Sequence, residues 1–274
     1  MDKNWEILIK KAGKFNINLT DKQIEQFRKY WEFLYEYNKH TNLVSSAELG
    51  TVVLKHFADS LSIGLLKNEL NLNDKKTILD IGIGGGFPGI PIIIAFPSLK
   101  LCAVDSVGKK TKFISELSEI LGMSSSLPDP AFHACPSSDP SLPLRIELTD
   151  RIEVVNSRAE ELIKETGRRS GFDIAVSRAV SRLNVLLEYT LPFIKTGGYF
   201  IAYKAKTFQE EIEESKQALF ILGGEVIDVV NYTLSDSCGE DLSGETRNLI
   251  LVKKIKATPE KYPRKTGIPL KKPL

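Results

Sequence analysis

The sequence predicts an α/β fold: a mostly parallel, doubly wound sheet of seven strands that follows a helical N-terminal extension. From Thr77 onward, short apolar runs alternate with amphipathic ones, whereas residues 1–60 show only helical periodicity. The chain has 274 residues, of which 42% are hydrophobic, and this suffices for one large domain and an extension. We therefore predict an extension at 1–70, a sheet domain at 71–256 and a basic tail at 257–274.

The individual helices and strands follow from local patterns. In the extension, Thr20 can cap a helix over 21–39, because Ile24, Phe27 and Trp31 recur on one face. Strands are predicted at 77–82, 100–105, 152–156, 173–177, 199–204, 225–232 and 247–255. Helices are predicted between them at 90–96, 109–121, 182–194 and 208–222. Such sheets bind ligands at the carboxyl ends of their strands, so functional residues are expected there.

One segment interrupts the alternation of strands and helices. Residues 124–143 hold five prolines and six serines and have no apolar period. We interpret 124–149 as a flexible surface insertion. His133 and Cys135 lie inside it and are assigned no chemistry.

The bulk properties exclude several classes of protein. The three cysteines are widely spaced and form no CxxC motif, which excludes a disulfide scaffold and a zinc site of familiar spacing. The first residues lack the apolar core of a signal peptide, and the most apolar stretch, 81–96, is broken by glycines and prolines and is too short to span a bilayer. A cytoplasmic protein without metal or membrane is expected.

The charge is unevenly distributed along the chain. The net charge is +2, but residues 253–274 carry eight basic residues against Glu260 alone. A basic segment of this kind favours a polyanionic partner, and a solvated, solubilising tail is an equally good reading. Candidate contacts to a nucleic acid are Arg264, Lys265, Lys271 and Lys272 in the tail and Lys204 after the fifth strand.

A glycine-rich turn follows the first strand and points to a cofactor. Asp80, Gly82, Gly84 and Gly86 fit the acid-x-Gly-x-Gly-x-Gly pattern of S-adenosylmethionine (SAM) sites without adjustment. A dinucleotide fingerprint that begins at the strand end would need glycine where Phe87 stands. A turn without a ligand is the remaining alternative. SAM is therefore the expected cofactor.

Two further strand ends extend this prediction. Asp105 ends the second strand and can accept hydrogen bonds from both ribose hydroxyls of an adenosyl group, although it could also cap the next helix. Ala159 and Glu160 follow the third strand, where the adenine ring would lie. Glu160 could equally be a solvated carboxylate at the start of a helix.

The end of the fourth strand, at Ser177 and Arg178, bears on the methyl acceptor. It lacks the Asn/Asp-Pro-Pro-aromatic run associated with exocyclic amines, and no cysteine is near to serve as a nucleophile. An acceptor with its own lone pair, such as guanine N7, would need neither device. Arg178 is the candidate catalytic residue, in contact with the cofactor carboxylate or with guanine. A surface salt bridge is its ordinary alternative.

Taken together, several motifs resemble the ribosomal RNA small subunit methyltransferase G family, also called glucose-inhibited division protein B. They occur in the family's order over nearly the whole chain: NKHTNL (38–43), HFADSL (56–61), GFPGIP (86–91), DSVGKK (105–110), SRAEE (157–161), SRA (177–179), YPRK (262–265) and KKPL (271–274). The resemblance implies a Rossmann-like class I SAM-dependent methyltransferase fold and methyl transfer to guanine N7 in 16S rRNA.

The resemblance also implies particular residues and partners. The implied cofactor contacts are Gly82, Phe87, Asp105, Ser106, Val107, Ala159, Glu160 and Arg178. The expected partner is 16S rRNA, in the small ribosomal subunit or an assembly intermediate, and the chain is expected to be a monomer. Three features depart from the family pattern: Val107-Gly-Lys-Lys in place of Leu-x-Lys-Arg, Gly85 in place of a small residue such as alanine, and the insertion.

His56 and Asp59 share one helix face, a geometry that also suits acid–base catalysis. Attack by N7 has no proton to remove, so we predict that they join the N-terminal helices to the sheet. Rival functions left open are methylation of a small molecule or protein, a non-catalytic SAM- or RNA-binding module, and an NAD-dependent oxidoreductase.

Overall fold

A computed structural model describes residues 2–123, 151–178, 180–205, 208–234 and 246–274. The predicted insertion at 124–149 lies outside the described residues, as does Ala179. The N-terminal extension comprises α1 (Lys3–Lys14), α2 (Asp21–Thr41) and the helical segment α3 (Leu49–Leu70). Thr20 caps α2 as expected, in a capping box with Gln23. Helix α3 contains a π turn at Val53–Ala58 and a 3-10 turn at Ser62–Leu66.

The sheet domain alternates strands and helices. Its strands are β1 (Thr77–Ile81), β2 (Lys100–Asp105), β3 (Ile152–Asn156), β4 (Phe172–Arg178), β5 (Ile194–Lys204), β6 (Gly224–Thr233) and β7 (Thr246–Lys254). Its helices are α4 (Gly89–Ala95), α5 (Gly108–Ile120), α6 (Ala159–Leu162), α7 (Leu183–Thr190), α8 (Phe208–Glu214) and α9 (Lys216–Leu222), with α10 (Ile268–Lys271) near the C-terminus. The seven strands form one sheet in the order β3-β2-β1-β4-β5-β7-β6, in which β7 runs antiparallel to both of its neighbours, β5 and β6, and the other pairs are parallel. The predicted mostly parallel, seven-stranded sheet is therefore confirmed.

Three elements depart from their predicted bounds by more than two residues or are divided in two. Strand β5 begins at Ile194 rather than at residue 199, because Gly197 and Gly198 are strand residues at a register shift opposite β4 and not a turn. Helix α7 ends at Thr190, where Pro192 enters a 3-10 turn. The predicted helix at 208–222 is interrupted at Ser215, which separates α8 from α9.

The two faces of the sheet are buried by different parts of the chain. Alternate residues of β1 point to opposite faces: Ile78 packs into the core that contains the N-terminal helices, and Leu79 into the core formed with α7 and α9. Phe27 from α2 and Phe57 from α3 are fully buried in the first of these cores. The extension therefore buries one face of the sheet together with α4 and α5, whose residues belong to the same core.

Among the described residues one helix, Leu49–Leu70, is long and apolar enough to cross a membrane by length and composition. Within its most apolar window, 67% of the residues are buried inside the protein. Leu61 and Ile63 are fully buried there. The apolar character of α3 is that of a core helix.

The C-terminal residues fold back onto the sheet domain. Tyr262 is buried, and its carbonyl oxygen accepts a hydrogen bond from Nη2 of Arg169 at 2.5 Å. Arg264 forms an ion pair with the buried Glu188 of α7, with 2.6 Å between Nη2 and Oε2. The basic tail is thus anchored against α7.

Candidate active site

A cleft of about 570 Å³ opens at the carboxyl ends of the parallel strands. Four strand ends contribute to it, through the turn after β1, the end of β2, the residues after β3 and the end of β4, and the loop between α2 and α3 closes one side. Its lining residues are Leu43, Val44, Ser45, His56, Ile81, Gly82, Ile83, Gly84, Gly85, Phe87, Val104, Asp105, Ser106, Val107, Lys110, Ser157, Arg158, Ala159, Glu160, Arg178, Val180 and Tyr189. This is the edge of the sheet at which the sequence predicts ligand binding.

The glycine turn after β1 has a backbone that few other residues could adopt. Gly82, Gly84 and Gly86 have φ angles of 77°, 58° and 103°, in the left-handed region. A Cβ on Gly86 would lie 2.1 Å from the hydroxyl oxygen of Tyr30. That hydroxyl group donates a 2.5 Å hydrogen bond to the carbonyl oxygen of Gly85, so α2 holds the turn in place.

Asp80 lies fully buried beneath this turn. Its Oδ2 accepts a 2.8 Å hydrogen bond from the backbone N–H of Gly89, whereas its Oδ1 has no hydrogen-bond partner among the described residues. Burial raises the pKa of Asp80 to about 7, although the Gly89 hydrogen bond and the charge of Arg178 act in the opposite direction. A buried carboxyl with an unpaired oxygen under a cleft favours a positively charged ligand.

Asp105 is held at the mouth of the cleft by the backbone around it. Its Oδ2 accepts a hydrogen bond from the N–H of Gly84 at 3.1 Å, and its Oδ1 accepts one from the N–H of Val107 at 2.9 Å. Lys110 lies 3.6 Å away. Each carboxylate oxygen keeps a further lone pair, so Asp105 can still accept hydrogen bonds from hydroxyl groups of a ligand. The neighbouring Ser106 and the 37%-exposed Val107 form the rim.

Ala159 and Glu160 begin α6 on the opposite side of the cleft, and both are buried. Oε1 of Glu160 accepts a 3.0 Å hydrogen bond from the N–H of Gly267. Burial, followed by the charge of Glu160, raises the pKa of Tyr189 to about 12. The Glu160 carboxylate thus joins the C-terminal segment to this edge of the cleft, and Glu160 also lines the cleft.

Arg178, at the end of β4, is bound by the N-terminal extension. Its Nη1 donates to Oδ2 of Asp59 at 2.8 Å and to the carbonyl oxygen of Lys55 at 3.0 Å. Its Nη2 lies 2.8 Å from Nδ1 of His56. The guanidinium group also stands 5.0 Å from the ring centre of Phe87. Arg178 therefore has a fixed position in the cleft, held from α3.

His56 is a neutral acceptor in this cluster. Burial, and then the charges of Arg178, Lys55 and Arg247, lowers the pKa of His56 to about 3. With its Nδ1 accepting from Arg178, the ring proton resides on Nε2, a tautomer assigned from the hydrogen bonding. The ring stacks on Phe87 with 4.7 Å between centroids. Phe87 in turn stacks on Tyr30 at 5.4 Å.

Asp59 completes the connection between the helices and the sheet. Its Oδ1 accepts a 2.6 Å hydrogen bond from the hydroxyl group of Tyr232 on β6, while its Oδ2 accepts from Arg178 on β4. These contacts are those of residues that join α3 to the sheet. Neither His56 nor Asp59 is placed as a free acid or base.

The candidate RNA-binding residues fall into two groups. Lys204 is engaged internally, because its Nζ donates to the carbonyl oxygen of Ser181 and to Oε2 of Glu211. Arg264 is engaged with Glu188, as described above. The other three are exposed on the C-terminal segment: Lys265, Lys271 and Lys272.

The cleft also contains a part of the extension that the residue patterns alone do not reveal. Leu43, Val44 and Ser45 line it, and the Asn38 side chain holds the loop that carries them. Asn38 Nδ2 donates to the carbonyl oxygen of Val44 at 3.1 Å, and its Oδ1 accepts from the N–H of Val44 at 3.0 Å. In the sequence, the NKHTNL motif (38–43) marks this region, but the motif does not show which backbone groups the Asn38 side chain binds.

The fold and the cleft together define the class of protein. The sheet has the order 3-2-1-4-5-7-6 with one antiparallel strand. A glycine turn lies over a buried acid after β1, and a second acid ends β2. These features define the class I SAM-dependent methyltransferases. The cleft fits that cofactor: it has a glycine turn that leaves space for a ligand, a buried carboxyl with one unpaired oxygen below that turn, and an acceptor carboxylate at its mouth.

Comparison with known proteins narrows the class to one family. The family model described as rRNA small subunit methyltransferase G (GidB) matches residues 23–126 and 143–237. The chain is 40% identical over 271 residues to the ribosomal RNA small subunit methyltransferase G of Lactobacillus johnsonii, covering 99% of this chain and 100% of that one. It is 41% identical over 269 residues to that of Acetivibrio thermocellus, covering 98% and 96%. The chain belongs to the rRNA small subunit methyltransferase G family.

Among solved structures, the chain is similar to precorrin-6Y C5,15-methyltransferase from Geobacter metallireducens. The TM-score is 0.47 and the sequence identity 13%, and the alignment covers 79% of this chain and 92% of that one. The assignment of the fold rests on the strand order and not on this similarity.

Proposed function

We propose that this chain transfers the methyl group of SAM to N7 of a guanine in 16S rRNA. One observation carries this proposal: the cleft for a SAM-like ligand has a wall formed by Arg178 and His56, and neither side chain is a free base, because the two are bound to each other. His56 is neutral and bound to Arg178. Cys102 is buried, and burial raises its pKa well above the usual range. A methyl acceptor whose attacking atom already carries a free lone pair suits such a wall, because no residue has to remove a proton from it.

The residues around the cleft have distinct roles toward the cofactor. When bound, SAM supplies a methyl group on a positively charged sulfur. The backbone of Gly82, Gly84 and Gly86 leaves room for the ligand above the turn, and Asp80 favours its positive charge from below. Asp105 accepts hydrogen bonds from the ribose hydroxyls. The apolar surfaces of Val107 and Ala159 accommodate the adenine ring.

The remaining proposed contacts lie toward the transferred methyl group. Phe87, fixed between Tyr30 and His56, forms a rigid aromatic wall, and Ser106 and Glu160 contribute to the two rims. Arg178 positions either the carboxylate of the cofactor or the guanine. Its N–H donors suit O6 of guanine, an acceptor, and leave the N7 lone pair free.

Catalysis then consists mainly of positioning. N7 is unprotonated at neutral pH, so the protein has no proton to remove and needs only to hold the atom in line with the methyl group. The aromatic stack and the charge-assisted hydrogen bonds of Arg178 supply a rigid frame for this purpose.

The exposed lysines of the C-terminal segment support an RNA substrate. Lys265, Lys271 and Lys272 are solvated on the segment that is anchored beside the cleft through Glu160 and Gly267. They would contact phosphates of the small-subunit rRNA, in the subunit or an assembly intermediate, with Lys204 and Arg264 in supporting positions. We place the protein in the cytoplasm as a monomer.

The test is methyl transfer from labelled SAM to purified small-subunit rRNA and to 30S particles, with the product mapped by cleavage at N7-methylguanine. We expect label at a guanine with wild-type protein and a loss of at least about a hundredfold with Arg178→Ala. Arg182→Ala is the matched control, because Arg182 is 69% exposed and pairs only with Glu214 among the described residues. Label that enters only protein or small molecules would contradict the proposal and favour the other methyl acceptors.

A further inference from the structure

The C-terminal segment is anchored to α7 through one buried carboxylate. Glu188 is 1% exposed. It accepts hydrogen bonds from the guanidinium group of Arg264 at 2.6 and 2.9 Å, and from the backbone N–H of the same residue at 2.7 Å. A two-point, charge-assisted contact at a buried site is strong and directional. Arg264 therefore fixes the place at which the chain passes α7.

Immediately after this anchor, the chain meets α6 at the rim of the cofactor cleft. The hydroxyl group of Thr266 donates to Oε1 of Glu161 at 2.7 Å. The N–H of Gly267 donates to Oε1 of Glu160 at 3.0 Å. Glu161 is exposed, whereas Glu160 is 5% exposed and lines the cleft. The second of these hydrogen bonds thus joins the C-terminal segment to a residue of the cleft itself.

The position of the Glu160 side chain depends on this hydrogen bond. A buried carboxylate is unfavourable without hydrogen-bond donors, so its side chain takes the position in which a donor meets it. Tyr189 lies beside Glu160 and also lines the cleft, and burial followed by the charge of Glu160 raises the pKa of Tyr189 to about 12. Tyr189 directly follows Glu188 on α7. The C-terminal segment is therefore bound at both elements that form this side of the cleft.

We infer that residues 264–267 position the adenine side of the cofactor site: Arg264 anchors the segment, and the N–H of Gly267 holds Glu160 next to Ala159. The inference deepens the proposed function and rests on its placement of the adenine ring beside Ala159. Arg264 and Gly267 are positioning residues, because they act on the cofactor through Glu160. The basic C-terminal segment then serves cofactor binding as well as RNA binding.

The first test removes the anchor. With Arg264→Ala we expect the Kd for S-adenosylhomocysteine to rise about tenfold, the equivalent of one hydrogen bond to a charged group. At saturating rRNA, the KM for SAM should rise with the Kd while kcat stays at the wild-type value, because the lost contact is the same in the ground state and the transition state. Lys261→Ala is the matched control: it removes an exposed cation of the same segment, which lies over the ring of Tyr262, and should leave the Kd unchanged.

A double variant covers the case in which Arg264→Ala does not fold. The single substitution leaves Glu188 as a buried charge without its cation, which is destabilising in itself. Arg264→Ala combined with Glu188→Gln removes both charges and avoids that penalty. Once circular dichroism and thermal melting show that this protein is folded, we expect the same rise of about tenfold in the Kd for S-adenosylhomocysteine.

A double-mutant cycle tests whether Arg264 acts through Glu160. Glu160→Ala removes the acceptor for the Gly267 N–H but keeps the backbone of α6. If the anchor acts by this route, adding Arg264→Ala to Glu160→Ala should change the Kd for S-adenosylhomocysteine by no more than about twofold. An equal effect of Arg264→Ala in both backgrounds would show that the two residues act independently, and it would overturn the inference.

The binding measurements need no RNA, so they separate this inference from the proposed function. A wild-type Kd for S-adenosylhomocysteine in the folded double variant, whatever its melting temperature, would show that the segment only stabilises the fold. That result would overturn the inference and leave the proposed function intact. Absence of rRNA methylation by the wild-type protein would overturn the proposed function, whereas a Kd raised in the double variant and not in Lys261→Ala would still support the role of the segment.

Discussion

The cofactor cleft and a neighbouring cavity, which shares His56 and Arg178 with it, are built in contrasting ways. The cleft is formed largely by backbone: the glycine turn and the first residues after β2 supply N–H groups and space. The neighbouring cavity is lined by side chains from α3, β4, β5, β6, β7 and α8, and Asp59 of α3 holds Arg178 of β4 and Tyr232 of β6. A short contiguous motif can therefore specify the cleft, whereas the cavity exists only once distant elements have packed.

The strongest test concerns the cofactor cleft, which is formed largely by backbone, and uses Gly86→Ala. A Cβ there combines a φ of 103° with a contact of 2.1 Å to the Tyr30 hydroxyl oxygen, so we expect a loss of about 3 kcal/mol or more in unfolding free energy, together with loss of SAM binding. Calorimetry and titration with S-adenosylhomocysteine would measure both. Gly85→Ala is the control, because its Cβ would meet only ordinary contacts at 3.5 Å, and it should be neutral. Equal effects of the two substitutions would reject this reading of the turn.

The side-chain contacts around Asp59 are tested by Asp59→Asn. This change keeps the shape of the side chain but removes the charge that faces Arg178 at 2.8 Å in a buried position. We expect a loss of about 2–3 kcal/mol in unfolding free energy and a larger fall in kcat than in SAM affinity. Tyr232→Phe removes only the hydroxyl donor on the other carboxylate oxygen and should cost about 1 kcal/mol. A fully active, equally stable Asp59→Asn protein would show that the cluster does not hold Arg178.

A smaller effect is expected at the boundary between the two regions. Asn38→Ala removes both hydrogen bonds to Val44, which should cost about 1–2 kcal/mol and loosen the loop that lines the cleft. SAM affinity should fall several-fold in isothermal titration. Lys39→Ala, at an exposed neighbour on the same helix, provides the comparison and should bind SAM normally. An unchanged SAM affinity in Asn38→Ala would show that this loop does not contribute to the cofactor site.

A pH dependence of SAM affinity is also expected, and it leaves the fold unchanged. The pKa of Asp80 is raised to about 7, so this carboxyl is mostly protonated at pH 6 and mostly ionised at pH 8. A cationic ligand favours the ionised form, so affinity should rise as the pH increases through 7, by up to about tenfold from pH 6 to pH 8. Asp80→Asn should bind SAM with an affinity that is flat over this range. A wild-type affinity that is independent of pH would argue against an interaction between Asp80 and the cofactor.

The contrast between the two regions also explains what the sequence predicted. The strand pattern located all seven strands, and the spacing of Asp80, Gly82, Gly84 and Gly86 identified the cofactor, because both depend on neighbouring residues. The start of β5 was predicted five residues late, since a glycine pair in a strand looks like a turn. The contacts of Arg178 with His56 and Asp59 join residues about 120 positions apart, and only the packing of α3 against β4 brings them together.

The central claim is that the substrate is a guanine of 16S rRNA, and a single mapping experiment tests it most directly. N7-methylguanine would be mapped across 16S rRNA from cells with the gene, cells without it, and cells without it that carry the Arg178→Ala variant. The predicted result is one guanine whose N7 methylation is present only in the first of these. Identical methylation of 16S rRNA in all three would contradict the proposed function.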